Sequence, residues 1–135
     1  MEDTLSQVEI FPLIAGLSAV ASVIYLSVAD RPISKNMWLF PAVLSLLFLV
    51  FSLQAVITEG PLGFWPEHTR NLWGNQIWYD LLLGVSAAIA FIIPRARKVK
   101  MQVLPWTLLC LATGSIGLYA FISRLLYLEA RRHSD

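Results

Sequence analysis

Asp80 is the residue of this sequence whose position most needs a chemical explanation, because it lies inside a long apolar stretch. It falls about eight residues, or ~12 Å of helix, into the stretch that begins at Leu72. An acid at that depth in a membrane costs about 2.5–3.5 kcal/mol, so a cation, hydrogen-bond donors, water or protonation must offset it. A carboxyl group held in this way can also serve as a general acid or base.

Several polar residues are candidates to surround Asp80 near one membrane face. Gln76 lies one helical turn from Asp80, and Asn75 and Tyr79 form a second pair with the same spacing. If the last apolar stretch runs antiparallel to the third, the long side chain of Arg124 can reach inward at this face. We predict a ligand pocket with Asp80 as its catalytic group if the protein is an enzyme, lined by Gln54, Asn75, Gln76, Tyr79 and Arg124.

The connection over residues 58–71, TEGPLGFWPEHTRN, is predicted to lie above this pocket as a lid. Its aromatic residues beside prolines are typical of an anchor at the membrane surface or a short re-entrant segment. The predicted lid residues are Glu59, Trp65, Glu67, His68 and Arg70. We predict no metal site, because a solvated loop explains His68 and its acidic neighbours better than any usual ligand spacing does.

Three explanations of Asp80 remain open at this point. The carboxylate could make a structural contact with Arg124 or Gln76, it could belong to a ligand or catalytic pocket, or it could couple transport to protons. Haem ligation by two histidines inside the bundle is excluded, because both histidines lie outside the apolar stretches. An internal disulfide is excluded as well, because the chain has a single cysteine. The net charge of +1 gives no indication of a nucleic-acid partner.

Four apolar stretches, each about long enough to cross a bilayer core of about 30 Å, fill most of the 135 residues. Hydrophobic residues make up 57% of the chain and charged residues 14%, against about 45–50% and about 25% in soluble domains. We therefore predict an all-α integral membrane protein, a four-helix up-and-down bundle that forms one domain over residues 1–135. The predicted spans cover residues 10–28, 37–57, 72–93 and 103–123.

Small residues at helical spacing predict where these spans pack closely. The fourth span has such a pair in Thr113 and Gly117, beside Gly114 and Ser115. In lipid, helices associate through van der Waals packing and close backbone approach. We interpret the pairs first as sites of close helix packing inside the bundle. The alternative is a helix face on which a second protein docks.

The basic residues predict the orientation of the chain in the membrane. The first span has an acidic start and no preceding Lys or Arg, so we interpret it as a retained helix and not as a signal peptide. The connections after spans one and three share one side and hold six of the ten Lys and Arg: Arg31, Lys35, Arg95, Arg97, Lys98 and Lys100. Basic residues collect on the cytoplasmic side, so both termini are predicted to be exoplasmic, in a bacterial inner or a photosynthetic membrane.

The second half of the chain resembles a group of small bacterial and plastid membrane proteins, most of them uncharacterised. The similarity is carried by Asp80, by the basic turn with Arg95 and Arg97, by Pro105-Trp106, by the segment 114–118 and by Arg124. The same pattern is similar to that of the plant membrane proteins required for neoxanthin formation. This resemblance implies a four-span bundle and an isoprenoid or lipid ligand.

Three functions are consistent with the sequence. The first is an accessory subunit or a lipid- or pigment-binding module of a larger membrane complex, with membrane lipids as partners. The second is a membrane enzyme that acts on an isoprenoid or carotenoid through Asp80, and the third is a small dimeric transporter. We predict no obligatory cofactor, although a lipid, isoprenoid or carotenoid could be bound. The first function is favoured, because no group of residues demands catalysis.

Overall fold

A computed structural model describes residues 7–28 and 35–132 of the chain, with side chains from residue 9 onward. Every regular element in these ranges is a helix: α1 (Gln7–Val28), α2 (Leu39–Glu59), α3 (Phe64–Thr69), α4 (Leu72–Lys98), α5 (Val103–Thr113) and α6 (Ser115–Arg132). The predicted all-α class is confirmed, and α1, α2 and α4 are long and apolar enough to cross a membrane. Arg31 and both chain termini lie outside the described residues.

The chain divides into two compact units, Met1–Ile33 and Ser34–Asp135. The first unit contains α1, a helix of 22 residues with a continuous apolar surface. Its serines Ser22 and Ser27 donate 2.7 Å hydrogen bonds to the carbonyl oxygens one turn earlier. These hydroxyls are therefore satisfied within the helix itself, as a helix in lipid requires.

In the second unit, α6 is the central helix, because α2, α4 and α5 all pack on it. Two buried serines join α6 to α2: Ser123 Oγ donates to the Trp38 carbonyl oxygen and Ser45 Oγ donates to that of Ile116, both at 2.9 Å. Between these two hydrogen bonds the residue numbers rise along α2, from 38 to 45, and fall along α6, from 123 to 116. Helices α2 and α6 are therefore antiparallel.

An ion pair joins the C-terminal ends of α4 and α6. Arg95 Nε lies 3.0 Å from Glu129 Oε1, and Arg95 Nη2 lies 2.6 Å from Oε2, so the guanidinium and the carboxylate meet in the bidentate arrangement. Close by, Arg132 donates to the carbonyl oxygen of Lys98. Both helices therefore run in the same direction and end at the same level.

The stretch predicted as the fourth span, residues 103–123, is divided at Gly114 into α5 and α6. Gly114 has a φ of +60°, a conformation that favours glycine and stops α5. The Thr113 hydroxyl donates to the Leu109 carbonyl oxygen at 2.7 Å and accepts from the Gly117 N–H at 2.9 Å. One hydroxyl thus closes α5 and caps the first turn of α6.

Helices α5 and α6 form an antiparallel hairpin. The rings of Trp106 and Phe121 stack with centroids 5.9 Å apart, whereas fifteen residues of continuous helix would separate them by ~22 Å. Gly117 lies against the backbone of Leu109 and Cys110 on the other arm. The 11 residues of α5 extend for only ~16.5 Å, about half of a bilayer core.

The buried core lies where this hairpin meets the C-terminal third of α4. Its members come from α4, α5, α6 and the turn between α4 and α5: Ile92, Ala96, Met101, Cys110, Phe121 and Leu125. Within the described residues α2 and α4 each pack on α6 but not on each other. The core therefore stabilises one end of the unit, while much of α2 and the first half of α4 stay exposed.

The C-terminal end of α6 lies beside the basic turn after α4, which differs from the predicted arrangement. The sequence placed it opposite the basic turn after α4, but the Arg95–Glu129 ion pair holds it beside that turn. The reason is the reversal at Gly114, which returns α6 toward its starting level. As a result, eight of the nine described Lys and Arg residues lie within about two helical turns of the end of the unit where α4 and α6 finish. Arg70 is the exception.

Candidate functional site

A groove with a volume of about 620 Å³ lies between α2 and α6 and is open on one side. Its long wall is apolar and is formed by Ala42, Leu46 and Leu49 of α2 together with Ala120 of α6. The two alanines leave the space, because a larger side chain at either position would project into it. We refer to this cavity as the α2–α6 groove.

The groove lining contains one charged side chain together with several neutral side chains that carry a polar group. Ser45 and Ser123 also line it, but both hydroxyls already donate to backbone carbonyl oxygens of the neighbouring helix. Arg124 is the single charged residue in the lining and its side chain is exposed. Among the described residues it forms no ion pair with a carboxylate, so its charge is available to a ligand.

Aromatic rings and a second guanidinium complete the end of the groove near the start of α2. The rings of Trp38 and Tyr127 meet edge to face with centroids 5.4 Å apart. Arg124 Cζ lies 5.5 Å from the centre of the Tyr127 ring, and Arg131 Cζ lies 5.7 Å from it. Arg131 Nη1 also donates to the Tyr127 hydroxyl at 3.3 Å. Cations at these distances from a ring are attracted to its face.

The residues predicted to surround Asp80 are placed differently. Asp80 is exposed on α4 and forms no ion pair or hydrogen bond within the described part of the chain. Gln76 and Tyr79 are exposed on the same helix, and Gln54 is exposed on α2. Counting residues from the Arg95–Glu129 pair, Asp80 and Arg124 differ by roughly 15 Å along the helix axes. The structure does not bring Asp80 and Arg124 together.

The predicted lid forms α3, which packs on the start of α4. Trp78 stacks with Phe64 at 5.9 Å between ring centroids and lies 4.6 Å from the His68 ring. Asn75 Nδ2 donates to the His68 carbonyl oxygen at 2.7 Å, so two of the predicted site residues do meet here.

The remaining lid residues lie on the surface of this segment. Glu67 and Arg70 form an exposed ion pair of 3.1 Å. Glu59 and Trp65 are exposed. The segment covers the N-terminal turns of α4 and lies away from the α2–α6 groove, which the middle of α6 lines.

The sequence reasoning missed Trp38, Ser45, Ser123 and Tyr127 as site residues. One signal was present in the order of α6, where Arg124, Tyr127 and Arg131 are spaced at i, i+3 and i+7 and so share a helix face. The aromatic ring between two cations on one face is visible in the sequence alone. The two serines had no signal of their own, since their partners are backbone atoms of a distant helix.

The described residues contain no group of three or more metal-ligating side chains close enough to hold a metal ion. The chain matches no family model, no curated protein and no solved structure.

Proposed function

We propose that this chain is a small integral membrane protein that binds a membrane amphiphile, a lipid or an isoprenoid-type molecule, in the α2–α6 groove. The proposal is carried by one observation: an open, apolar groove of about 620 Å³ ends beside two aromatic rings and a guanidinium that forms no ion pair among the described residues. Ligand sites have volumes of about 300–1,000 Å³ and combine apolar walls with few polar groups. The chain would thus act as a lipid- or pigment-binding module.

The level of the groove in the membrane supports this proposal. Trp38 and Tyr127 lie where α2 begins, and such rings are typical of the membrane–water interface. Arg124 is one turn deeper than Tyr127, from where a long side chain extends toward the headgroups. A ligand with an apolar tail and a polar head would match this order of surfaces.

Photolabelling tests this proposal. A phospholipid with a photoreactive diazirine in its acyl chain is incorporated with the full-length protein into vesicles, and cross-linked peptides are mapped by mass spectrometry. We expect labelling of residues 42–49 and 120–127 that excess unlabelled lipid suppresses. Ala42→Phe places a ring in the groove and should remove most of this suppressible labelling.

The matched control is Ala87→Phe, because Ala87 is exposed on α4 and does not line the groove. It should leave the suppressible labelling unchanged. The proposal would be contradicted if excess unlabelled lipid did not suppress labelling of the groove. It would also be contradicted if Ala42→Phe and Ala87→Phe showed the same suppressible labelling.

A specific observation also favours the role of an accessory subunit in a larger complex. Asp80 is exposed about 12 Å from the start of α4, a position that costs about 2.5–3.5 kcal/mol in lipid unless a partner satisfies the carboxylate. Within the described residues no such partner is found. A helix of another protein that donates to Asp80 would offset this cost.

Asp80→Leu should therefore favour the isolated protein and weaken its assembly. We expect the complex extracted in mild detergent to become smaller on native gels, while insertion improves by about 3 kcal/mol. Ser86→Leu is the control, since Ser86 is an exposed polar residue of the same helix. An assembly of unchanged size in the Asp80→Leu variant would argue against this role.

A further inference from the structure

We infer that the amphiphile in the α2–α6 groove is an anionic phospholipid whose phosphate binds Arg124. This inference rests on the proposed function and specifies the chemistry of its ligand. It follows from the position of two cations around one ring and from the charge of the surrounding surface. The acyl chain would lie along the wall that Ala42, Leu46 and Leu49 form.

Arg124 and Arg131 each place a guanidinium group against the ring of Tyr127. Their guanidinium carbons lie 5.5 Å and 5.7 Å from the same Tyr127 ring centre. Neither forms an ion pair with a carboxylate among the described residues. An anion bound beside this ring is attracted by both positive charges. Guanidinium groups also match the geometry of phosphate oxygens.

The charge around the mouth of the groove favours a net negative headgroup over a zwitterionic one. Among the described residues of the second unit, Glu129 is the one acidic side chain at this end, and it already pairs with Arg95. The ammonium group of a zwitterionic headgroup would therefore meet further cations here, including Lys98 and Arg132. A headgroup such as phosphatidylglycerol has no cation to be repelled.

The apolar wall distinguishes a lipid phosphate from a free phosphate ion. A soluble anion would use Arg124 and Arg131 but would leave the groove over Ala42, Leu46 and Leu49 unfilled. A phospholipid fills both regions with a single molecule. Since the guanidinium and the groove are adjacent, the structure favours the phospholipid.

Lipid retention by the full-length protein tests the inference. The protein is purified in detergent with equal amounts of phosphatidylglycerol and phosphatidylcholine, and retained lipid is counted by native mass spectrometry. We expect wild-type protein to retain phosphatidylglycerol preferentially. Arg124→Gln should lower that retention about tenfold, the effect of losing one hydrogen bond to a charged group. Arg124→Lys keeps the charge and should lose less.

Arg97→Gln is the matched control, because Arg97 is an exposed cation at the same end that does not line the groove. It should retain phosphatidylglycerol as the wild type does. Equal losses in the two glutamine variants would overturn the inference, and so would displacement of the lipid by millimolar inorganic phosphate.

The proposed function and this inference fail in different ways. Suppose that the wild-type protein shows no preference between the two lipids, but that excess unlabelled lipid still suppresses labelling of the groove by the diazirine lipid. The headgroup inference is then wrong and the proposed function stands. If the suppressible labelling itself is absent, the proposed function fails and this inference fails with it. Circular dichroism of each variant separates loss of binding from loss of folding.

Discussion

Replacing Gly117 with alanine should separate the two arms of the α5–α6 hairpin and lower the free energy of unfolding by about 1–3 kcal/mol. A Cβ atom at this position would lie 2.7 Å from the backbone nitrogen of Cys110 and from the backbone carbon and oxygen of Leu109. These are backbone atoms of a packed helix, so they can move away only if α5 and α6 part. Gly117→Leu should have a larger effect in the same direction.

Gly84→Ala is the matched control for this prediction. Gly84 lies within α4, and a Cβ atom added there would have nothing within 4 Å. Because alanine has the higher helix propensity, this variant should gain up to about 1 kcal/mol. Thermal unfolding in detergent, followed by circular dichroism, compares the two. Equal stability of the Gly117→Ala and Gly84→Ala proteins would show that the close approach of α5 and α6 is absent.

Hydropathy predicted the long helices well because their physical cause is local. The apolar runs that predicted spans at 10–28, 37–57 and 72–93 correspond to α1, α2 and α4 within a few residues at most boundaries. The exception is the C-terminal end of α4, which continues past Pro94 to Lys98, whereas the predicted span ended at residue 93. A helix in a membrane can continue past proline where neighbouring helices, hydroxyl groups or water satisfy the freed backbone groups.

The fourth span could not be predicted correctly from its average hydropathy. An apolar window over residues 103–123 does not distinguish one long helix from two short antiparallel ones. The decisive residues were Thr113, Gly114 and Gly117, whose small size was interpreted as a packing face. They do permit close packing, but between the two arms of a hairpin that they themselves create.

The candidate site changed for the same reason. The predicted pocket required α6 to continue away from the basic turn, so that Arg124 would reach the level of Asp80. With the chain reversed at Gly114, Arg124 lies instead beside Trp38 and Tyr127. The residues that line the α2–α6 groove come from helices far apart in sequence, and the direction of α6 decides which of them meet.

The reversal changes the side of the membrane on which we expect the C-terminal end of α6, while the rest of the predicted orientation is kept. The C-terminal end of α6 now joins the basic turn after α4, and eight of the nine described Lys and Arg residues collect at that end. Basic residues of short connections remain in the cytoplasm. We therefore expect this end, including Arg132, to be cytoplasmic, and the segment with α3 to be exoplasmic.

The side of the membrane on which Arg132 lies tests most directly whether the chain turns back at Gly114, on which the groove depends. Single cysteines are placed at Leu62, Lys100 and Arg132, all of which are exposed, whereas the native Cys110 is buried. Cells that express each variant are treated with a membrane-impermeant thiol reagent, intact or permeabilised. We predict that position 62 reacts in intact cells and that positions 100 and 132 react only after permeabilisation. Reaction of position 132 together with position 62 would mean that α5 and α6 form one continuous span, and would contradict the account.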